Sequence, residues 1–385
     1  MSDTISHCPV CNSEESTTFR MSHIFVRHLD FAPMKRQPTF LSKCNRCQMI
    51  YLSEKHVISE LKELYYGEEY ARGKKTMHAV FNKEGVVAGR MMSPYYHLAD
   101  YITKNLEKGR DRFRILDIGC FDGKLLVELK NRHPHAVLHG FDISEHIEGI
   151  FPKDEGFKYF SKDISSISGP YDIIIISSAL MFIDDFSLLM NRLNELLAPG
   201  GFVFLFVTNV EINPYNLVYG DHYIYPTPTS LRNFLNHYGY ESDMTVDHPS
   251  FPRNILAIAR RKKDKHSSSE YAQDNALSKA CRYLTDAAII VKEAVHRHIT
   301  SNNYSRVAVL GCTCNATWAY HTVGDMISFF VDENPYRVGS TFCGMEVIHP
   351  RDLEENDLLV IPYAETARPI AEKFSKLYKA KLFMV

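Results

Sequence analysis

The sequence predicts an α/β protein of three parts, in which the central part is a parallel sheet covered by helices on both faces. The chain of 385 residues is too long for one compact core, and this length indicates two or three domains of roughly 100–200 residues each. Strand-like apolar runs alternate with helical patterns from residue 114 to residue 208, and a second such series begins near residue 306. Four cysteines lie ahead of both series, in two CxxC pairs.

The composition argues against several classes of protein. Hydrophobic residues make up 45% and charged residues 23% of the chain, which is ordinary for a globular protein and argues against disorder. A net charge of −2 argues against a nucleic-acid partner bound through phosphates. The basic residues 260–269 lack interleaved aromatic residues and are interpreted as a solvated linker. Because no apolar run reaches about 18 residues and no signal-peptide pattern is present, we expect a cytoplasmic protein with no membrane partner.

The central part reads as strands that alternate with helices. The predicted strands cover residues 114–118, 137–141, 171–177 and 202–208, and the predicted helices cover residues 124–132 and 186–197. The turn Pro199-Gly200-Gly201 separates the second helix from the last strand, because proline and glycine both interrupt helical geometry. This alternation is typical of an open parallel sheet, which binds its ligand beyond the carboxyl ends of the strands.

The turn after the first of these strands is the most informative segment. It reads Asp117-Ile118-Gly119-Cys120-Phe121-Asp122-Gly123. Glycine lets the backbone approach a ligand closely, but the spacing is not the G-x-G-x-x-G of dinucleotide-binding proteins. The acids Asp117 and Asp122 would repel a pyrophosphate, whereas they would attract a ligand with positive charge. S-adenosylmethionine, which carries an ammonium and a sulfonium group, fits this turn.

Two further acids are expected at the same edge of the sheet. Asp142 ends the second strand, where an acid can accept hydrogen bonds from two ribose hydroxyls. Asp163 lies where a third strand should end and could bind the adenine amino group, and the alternative is that each acid caps a helix. The predicted cofactor-binding residues are Asp117, Gly119, Cys120, Gly123, Asp142, Ile143, Asp163, Ile164 and Ser178.

The two CxxC pairs predict a structural Zn²⁺ site. They consist of Cys8 with Cys11 and of Cys44 with Cys47, and four thiolates with no open position form a closed tetrahedral site. The segment between the pairs would have to form a hairpin or a subdomain. The alternatives are a redox dithiol, ordinary packing cysteines, and His7 in place of one ligand. The other five cysteines are interpreted as small buried residues.

The central part resembles the class I S-adenosylmethionine-dependent methyltransferases. The resemblance rests on the turn from Asp117 to Gly123, on Asp142, and on the strand at residues 171–176 with the Pro199-Gly200-Gly201 turn after it. It implies a Rossmann-like core with S-adenosylmethionine as the cofactor.

The order of the three parts resembles the sugar C-methyltransferases of deoxysugar biosynthesis. Residues 307–311, 330–335 and 344–348 are similar to the C-terminal domain of that family. The resemblance implies a small N-terminal zinc-binding domain, a class I methyltransferase core, and a second, smaller C-terminal α/β domain that binds substrate. The corresponding boundaries are residues 1–75, 76–262 and 263–385. The implied substrates are nucleotide-linked keto-deoxysugars.

A cluster of polar and aromatic residues follows the last strand of the central part. The segment reads Tyr219-Gly220-Asp221-His222-Tyr223-Ile224-Tyr225-Pro226 and is expected to be a loop. Methylation of a carbon beside a ketone requires a base, and histidine as a residue type titrates near neutral pH. His222 is therefore the candidate base, Tyr219 the candidate donor to the developing oxyanion, and Asp221 a supporting charge. The sugar C-methyltransferases carry a Tyr-x-Glu-His element here, so the resemblance selects the same three residues and adds Tyr70 as a further active-site tyrosine.

Two positions depart from the pattern of that family. Phe182 stands where the family has a histidine, and it cannot hydrogen-bond a substrate or shuttle a proton. Asn315 stands in a C-terminal turn where the family usually has a lysine, which removes a cation from contact with a nucleotide diphosphate.

The predicted function is S-adenosylmethionine-dependent C-methylation next to a keto group of a nucleotide-linked deoxysugar, with His222 as general base. The alternatives are an O- or N-methyltransferase that acts on another polar metabolite, and a non-catalytic scaffold that binds zinc or the cofactor.

Overall fold

Three sheets organise the chain in the computed structural model, which describes residues 5–26, 35–53, 93–106, 112–220, 222–263, 271–301, 306–335 and 337–385. In chain order the strands are β1 (Ser16–Val26), β2 (Lys35–Cys44), β3 (Ile50–Leu52), β4 (Arg114–Ile118), β5 (Val137–Asp142), β6 (Phe157–Ser161), β7 (Tyr171–Ser177), β8 (Leu197–Thr208), β9 (Ile224–Tyr225), β10 (Tyr240–Thr245), β11 (Asn254–Arg261), β12 (Val307–Leu310), β13 (Phe329–Val331), β14 (Thr341–Phe342), β15 (Met345–Ile348), β16 (Leu358–Ile361) and β17 (Lys381–Met384). The helices are α1 (Pro94–Lys104), α2 (Lys124–Arg132), α3 (Phe186–Leu196), α4 (Pro228–His237), α5 (Ala276–Ser301), α6 (Cys314–Val323) and α7 (Ala367–Leu377).

The central sheet has the strand order β10-β11-β8-β7-β4-β5-β6. Strands β4 to β8 run parallel, whereas β11 is antiparallel to both β8 and β10. Residues 173–176 of β7 are all buried, as in a strand covered on both faces. This arrangement confirms the predicted α/β core. Because the chain runs from β4 outward to β5 and β6, and then to β7 and β8 on the other side, the crevice between β4 and β7 is the point where such sheets bind ligands.

The N-terminal sheet takes one strand from the middle of the chain. Its order is β1-β2-β3-β9, and all three pairings are antiparallel. Ile50 lies opposite Tyr225, and the backbone N–H of Leu52 donates to the carbonyl of Tyr223 at 3.0 Å. The sequence predicted a loop at residues 219–226, and part of it is instead the strand β9, which satisfies the otherwise open edge of β3.

The C-terminal sheet repeats the order of the five parallel strands of the central sheet. Its order is β14-β15-β13-β12-β16-β17, and its strands are parallel except for β14. The chain runs from β12 to β13 and β15 on one side, and to β16 and β17 on the other. The point where the strand order reverses, between β12 and β16, is the place where open sheets of this kind bind ligands.

A short 3₁₀ helix, Pro214–Val218, joins the three parts of the chain. Its residues Tyr215 and Leu217 share one apolar core with Ile50 of β3 and Val309 of β12. The long helix α5 adds buried residues at spacings of three and four to the same core, which are Leu277, Ala280, Leu284, Ala287, Val291 and Val295. Neither α5 nor another helix in the described ranges combines the length and the apolar character that crossing a membrane requires.

Candidate active site

The loop after β4 meets the loop after β7 at the central crevice. The backbone N–H of Gly119 donates to the carbonyl of Phe141 at 2.7 Å, and Gly119 adopts a φ of 76°. A Cβ at this position would lie 2.4 Å from the Cβ of Ala179. Only glycine fits both the left-handed backbone and this contact, so Gly119 brings the two loops together.

The other end of the loop is equally restricted. Gly123 precedes α2 with a φ of 68°, and a Cβ there would lie 2.7 Å from Cδ of Pro152. Cys120 is buried between the two glycines, and burial raises the pKa of its thiol well above the usual range. The thiol of Cys120 therefore serves in packing. A contribution of Cys120 to a cofactor site would come from its backbone.

Asp117 and Asp142 are both buried at the carboxyl edge of the sheet. The carboxylate of Asp142 accepts from the backbone N–H of Phe121 at 3.1 Å and from that of Ser144 at 3.2 Å. Oδ1 of Asp117 has no hydrogen-bond partner within the described ranges. Burial, and then the neighbouring Asp142, raise the pKa of Asp117. A buried carboxylate oxygen without a donor is costly, and a ligand with an ammonium group would compensate it.

The other predicted cofactor residues are less buried than Asp117 and Asp142. Asp163 is exposed, and its carboxylate accepts from the hydroxyl of Ser165 and from the backbone N–H of Ser165, the latter at 2.8 Å, and these two bonds lower its pKa. It caps the short 3₁₀ helix that follows, as the alternative interpretation expected, and its contact with adenine stays a prediction. Ser178 is exposed, and Ile143 and Ile164 are half-buried.

His222 is buried among aromatic rings. Its ring centroid lies 5.0 Å from that of Phe182, 5.6 Å from that of Tyr219 and 5.8 Å from that of Tyr225. Phe182 ends the short 3₁₀ helix that follows Ala179, so His222 is connected to the cofactor loop through two direct contacts. Of the other predicted catalytic residues, Asp221 and Tyr70 lie outside the described residues.

Tyr219 connects this site to the C-terminal sheet. Its hydroxyl oxygen accepts from the backbone N–H of Cys314, the first residue of α6, at 3.1 Å. The next residue, Asn315, is fully buried and donates from Nδ2 to the carbonyl of Pro362 at 2.7 Å. Asn315 therefore joins the segments that follow β12 and β16.

The turn after β12 is built like the cofactor loop. The backbone N–H of Gly311 donates to the carbonyl of Val331 at 2.7 Å, and that of Cys312 donates to the carboxylate of Asp332 at 3.2 Å. A Cβ on Gly311 would lie 2.3 Å from the hydroxyl of Tyr363. Both turns contain the dipeptide Gly-Cys, and in both parts an aspartate, Asp142 or Asp332, stands at the end of the neighbouring strand.

The four cysteines of the CxxC pairs form one buried cluster. All their sulfur atoms lie within 4.8 Å of one another, and the Cys8–Cys47 and Cys11–Cys44 sulfur atoms are 3.5 Å apart. Tetrahedral Zn²⁺ with Zn–S bonds of about 2.3 Å separates its sulfur ligands by roughly 3.8 Å, so the cluster fits the ion. The segment between the pairs forms the expected hairpin, β1 with β2. None of the nine cysteines, all of which lie within the described ranges, forms a disulfide bond.

Tyr95 was not identified from the sequence. It lies half-buried in the first turn of α1, and burial together with the carboxylates of Asp122 and Asp117 raises its pKa to about 12. The only available signal, a tyrosine in a helix before the core, does not separate a site residue from a packing residue.

Comparison with known proteins identifies the central region. Residues 91–243 match the family described as "Methyltransferase domain". The trans-aconitate 2-methyltransferase of Deinococcus radiodurans is 30% identical over 23% of this chain and 35% of its own length. The malonyl-[acyl-carrier protein] O-methyltransferase 2 of Ilyobacter polytropus is 26% identical over 34% of this chain and 52% of its own length. The chain thus spans about a third to a half of the length of these curated relatives.

Solved structures of methyltransferases are also similar. The DhpI–SAM–HEP complex has 16% identity and a TM-score of 0.38, over 54% of this chain and 99% of that chain. The plantazolicin methyltransferase BpumL in complex with SAH has 16% identity and a TM-score of 0.36, over 44% of this chain and 82% of that chain. The family match identifies residues 91–243 as a methyltransferase domain.

Proposed function

We propose that the chain transfers a methyl group from S-adenosylmethionine to a carbon next to a keto group of a nucleotide-linked deoxysugar, with His222 as the general base. One pair of contacts carries the proposal. The cofactor loop touches the loop after β7 at Gly119 and Ala179, and Phe182 of that second loop touches His222. A base at this place would face the same crevice as the methyl donor.

The residues of the central crevice fit the cofactor. Asp117 would bind its ammonium group, Gly119 would allow the backbone to approach it, and Asp142 would accept hydrogen bonds from the ribose hydroxyls. S-adenosylmethionine, when bound, supplies an electrophilic methyl group on a sulfonium. The protein's share of the reaction is then to align the acceptor carbon and to remove a proton from it.

His222 and its neighbours would perform the proton transfer. Removal of the proton next to the ketone places negative charge on the carbonyl oxygen, and a positioned hydroxyl such as that of Tyr219 stabilises this charge. The enclosure of His222 by Phe182, Tyr219 and Tyr225 would hold the imidazole in one orientation. Asp221 and Tyr70 complete the proposed set.

We further propose that Cys8, Cys11, Cys44 and Cys47 hold a structural Zn²⁺ ion. The ion would crosslink the two CxxC pairs of the N-terminal part. The carbonyl of Cys47 accepts from Nδ2 of Asn233 on α4 at 3.2 Å, so the second CxxC pair is also attached to the central part. The metal would therefore hold the inner strand β3 against β9, which begins two residues after His222 in the chain.

Methyl transfer to an oxygen is the second candidate. Both curated relatives are methyltransferases whose names specify acidic acceptors, namely trans-aconitate and malonyl-[acyl-carrier protein]. A carboxylate acceptor needs no base, so in this case His222 would serve only to position the acceptor.

A screen with isotopically labelled S-adenosylmethionine distinguishes these candidates. Nucleotide-linked keto-sugars and small carboxylic acids are incubated with the full chain, and products are identified by mass spectrometry. C-methylation predicts exchange of a substrate C–H in deuterated water, and His222→Ala should abolish this exchange while it retains binding of S-adenosylhomocysteine. Methylation of carboxylates without any C–H exchange would favour the second candidate. Failure to bind S-adenosylhomocysteine in calorimetry would favour a scaffold.

A further inference from the structure

Two buried asparagines precede the candidate catalytic residues. Asn213 is 7% and Asn216 is 3% exposed, and both lie in the segment after β8. Nδ2 of Asn213 donates to Oδ1 of Asn216 at 3.2 Å. The remaining atoms, Oδ1 of Asn213 and Nδ2 of Asn216, have no hydrogen-bond partner among the residues that the structure describes.

This pair differs from other buried asparagines of the chain. Asn233 donates from Nδ2 to the carbonyls of Cys47 and Ala272, and its Oδ1 accepts from the backbone N–H of Ala272. If both side-chain amides were turned over so that oxygen and nitrogen changed places, one oxygen and one nitrogen would still have no partner. Buried amide groups without partners are destabilising, so their presence requires an explanation in terms of a ligand or an ordered water.

The position of the pair points to a ligand. In the 3₁₀ helix Pro214–Val218 the backbone repeats every three residues, and Asn216 N–H donates to Asn213 while Tyr219 N–H donates to Asn216. Asn213, Asn216 and Tyr219 therefore share one face of the helix. Other residues of the same helix, such as Tyr215, pack into the apolar core. The polar row ends at Tyr219, whose ring lies 5.6 Å from that of His222.

We infer that Asn213 and Asn216 recognise a neutral polar group of the methyl acceptor, one that both donates and accepts a hydrogen bond, such as a hydroxyl or an amide. Oδ1 of Asn213 would accept from this group and Nδ2 of Asn216 would donate to it. A carboxylate or phosphate at the same place would put a negative oxygen against Oδ1 of Asn213. The inference rests on the proposed function, and it favours a hydroxyl-bearing acceptor over the acidic acceptors of the second candidate.

The double variant Asn213→Leu/Asn216→Leu tests this inference. Because it removes both amides together, no polar partner is left behind in the protein. With the acceptor found in the labelled-donor screen, we expect the KM of that acceptor to rise about tenfold or more, with kcat changed by less than about threefold. The affinity for S-adenosylhomocysteine should stay unchanged. An unchanged KM would overturn the inference.

The melting temperature supplies a second readout that needs no acceptor. We expect the double variant to melt at or above the temperature of the wild type, since residues kept for a ligand do not stabilise the free protein. Asn233→Leu, which removes a fully bonded buried amide, should melt at a lower temperature and shows that such a loss is detectable. A double variant as destabilised as Asn233→Leu would overturn the inference, because the pair would then be a satisfied structural element. If the screen finds no acceptor for the wild type, the proposed function fails, while the melting comparison still decides this point.

Discussion

The ring of Phe182 meets the ring of His222 edge to face, with centroids 5.0 Å apart and an angle of 83° between the planes. Phe182 forms an apolar wall beside the candidate base, and its ring can neither hydrogen-bond a substrate nor shuttle a proton.

Phe182→Ala is expected to lower kcat by about three- to tenfold, because an edge-to-face pair contributes about 0.5–1.5 kcal/mol to the position of its partner ring. Phe182→Tyr keeps the ring and should retain most of the activity. Steady-state kinetics with the acceptor from the labelled-donor screen measure both variants. An alanine variant as active as the wild type would show that the contact does not position His222.

Asp142→Ala is expected to weaken the binding of S-adenosylhomocysteine by about 1–3 kcal/mol, through loss of two hydrogen bonds to ribose hydroxyls. Asp163→Ala provides the comparison, since the carboxylate of Asp163 is exposed and caps its own turn. Calorimetry of the two variants should show the larger loss for Asp142. Equal losses would place Asp163 in contact with the cofactor, and an unaffected Asp142 variant would place the ribose elsewhere.

Asp117→Asn is expected to weaken cofactor binding and to flatten its dependence on pH. Burial and Asp142 raise the pKa of Asp117, so the charge that would bind an ammonium group appears only as the pH rises through that pKa. The affinity of the wild type for S-adenosylhomocysteine should increase over this interval. Calorimetry across a pH series measures the effect, and parallel curves for the two proteins would contradict it.

The same variant should be more stable than the wild type at neutral pH. When folding raises the pKa of a carboxyl group, the folded protein loses stability as the pH rises from the unfolded-state pKa of that group to its folded-state pKa. Asparagine does not ionise, so Asp117→Asn should melt at a higher temperature than the wild type without ligand. A lower melting temperature would indicate that Asp117 has a stabilising partner.

Metal removal is expected to impair catalysis although no ligand cysteine lies at the cofactor loop. Elemental analysis should find one Zn²⁺ per chain, and chelation or Cys47→Ser should lower the melting temperature. Because β3 follows Cys47 and pairs with β9, hydrogen exchange at the backbone N–H of Tyr225, which lies opposite Ile50, should accelerate. Cys281→Ser, outside the cluster, should keep its metal. Unchanged exchange in β9 after metal loss would contradict the coupling.

Gly119→Ala is expected to abolish cofactor binding, because its Cβ would lie 2.4 Å from that of Ala179. Adding Ala179→Gly removes this contact but not the left-handed backbone, which costs a non-glycine residue about 1–2 kcal/mol. The double variant should therefore recover binding only in part. Calorimetry with S-adenosylhomocysteine measures how much binding returns. Full recovery would contradict the expectation and would show that the steric contact alone makes glycine necessary.

Much of the central fold could be predicted from the sequence. The strands β4 and β7 and the helix α2 have the predicted bounds, because burial on both faces and helical periodicity leave local patterns in the chain. The glycines of the cofactor loop and the position of Asp142 follow from the same local patterns. The convergence of the four cysteines follows from the reach of two CxxC turns.

Other features depended on which distant segments meet. The pairing of β9 with β3, the contact of Phe182 with His222 and the unpartnered amides of Asn213 and Asn216 were not predicted. Residue type and spacing along the chain determined the sheet, its ligand edge and the thiol cluster, because neighbouring residues impose these through backbone geometry and hydrophobic burial. Tertiary packing decided the surroundings of His222, since contacts between residues far apart in the chain leave no periodic pattern in the sequence.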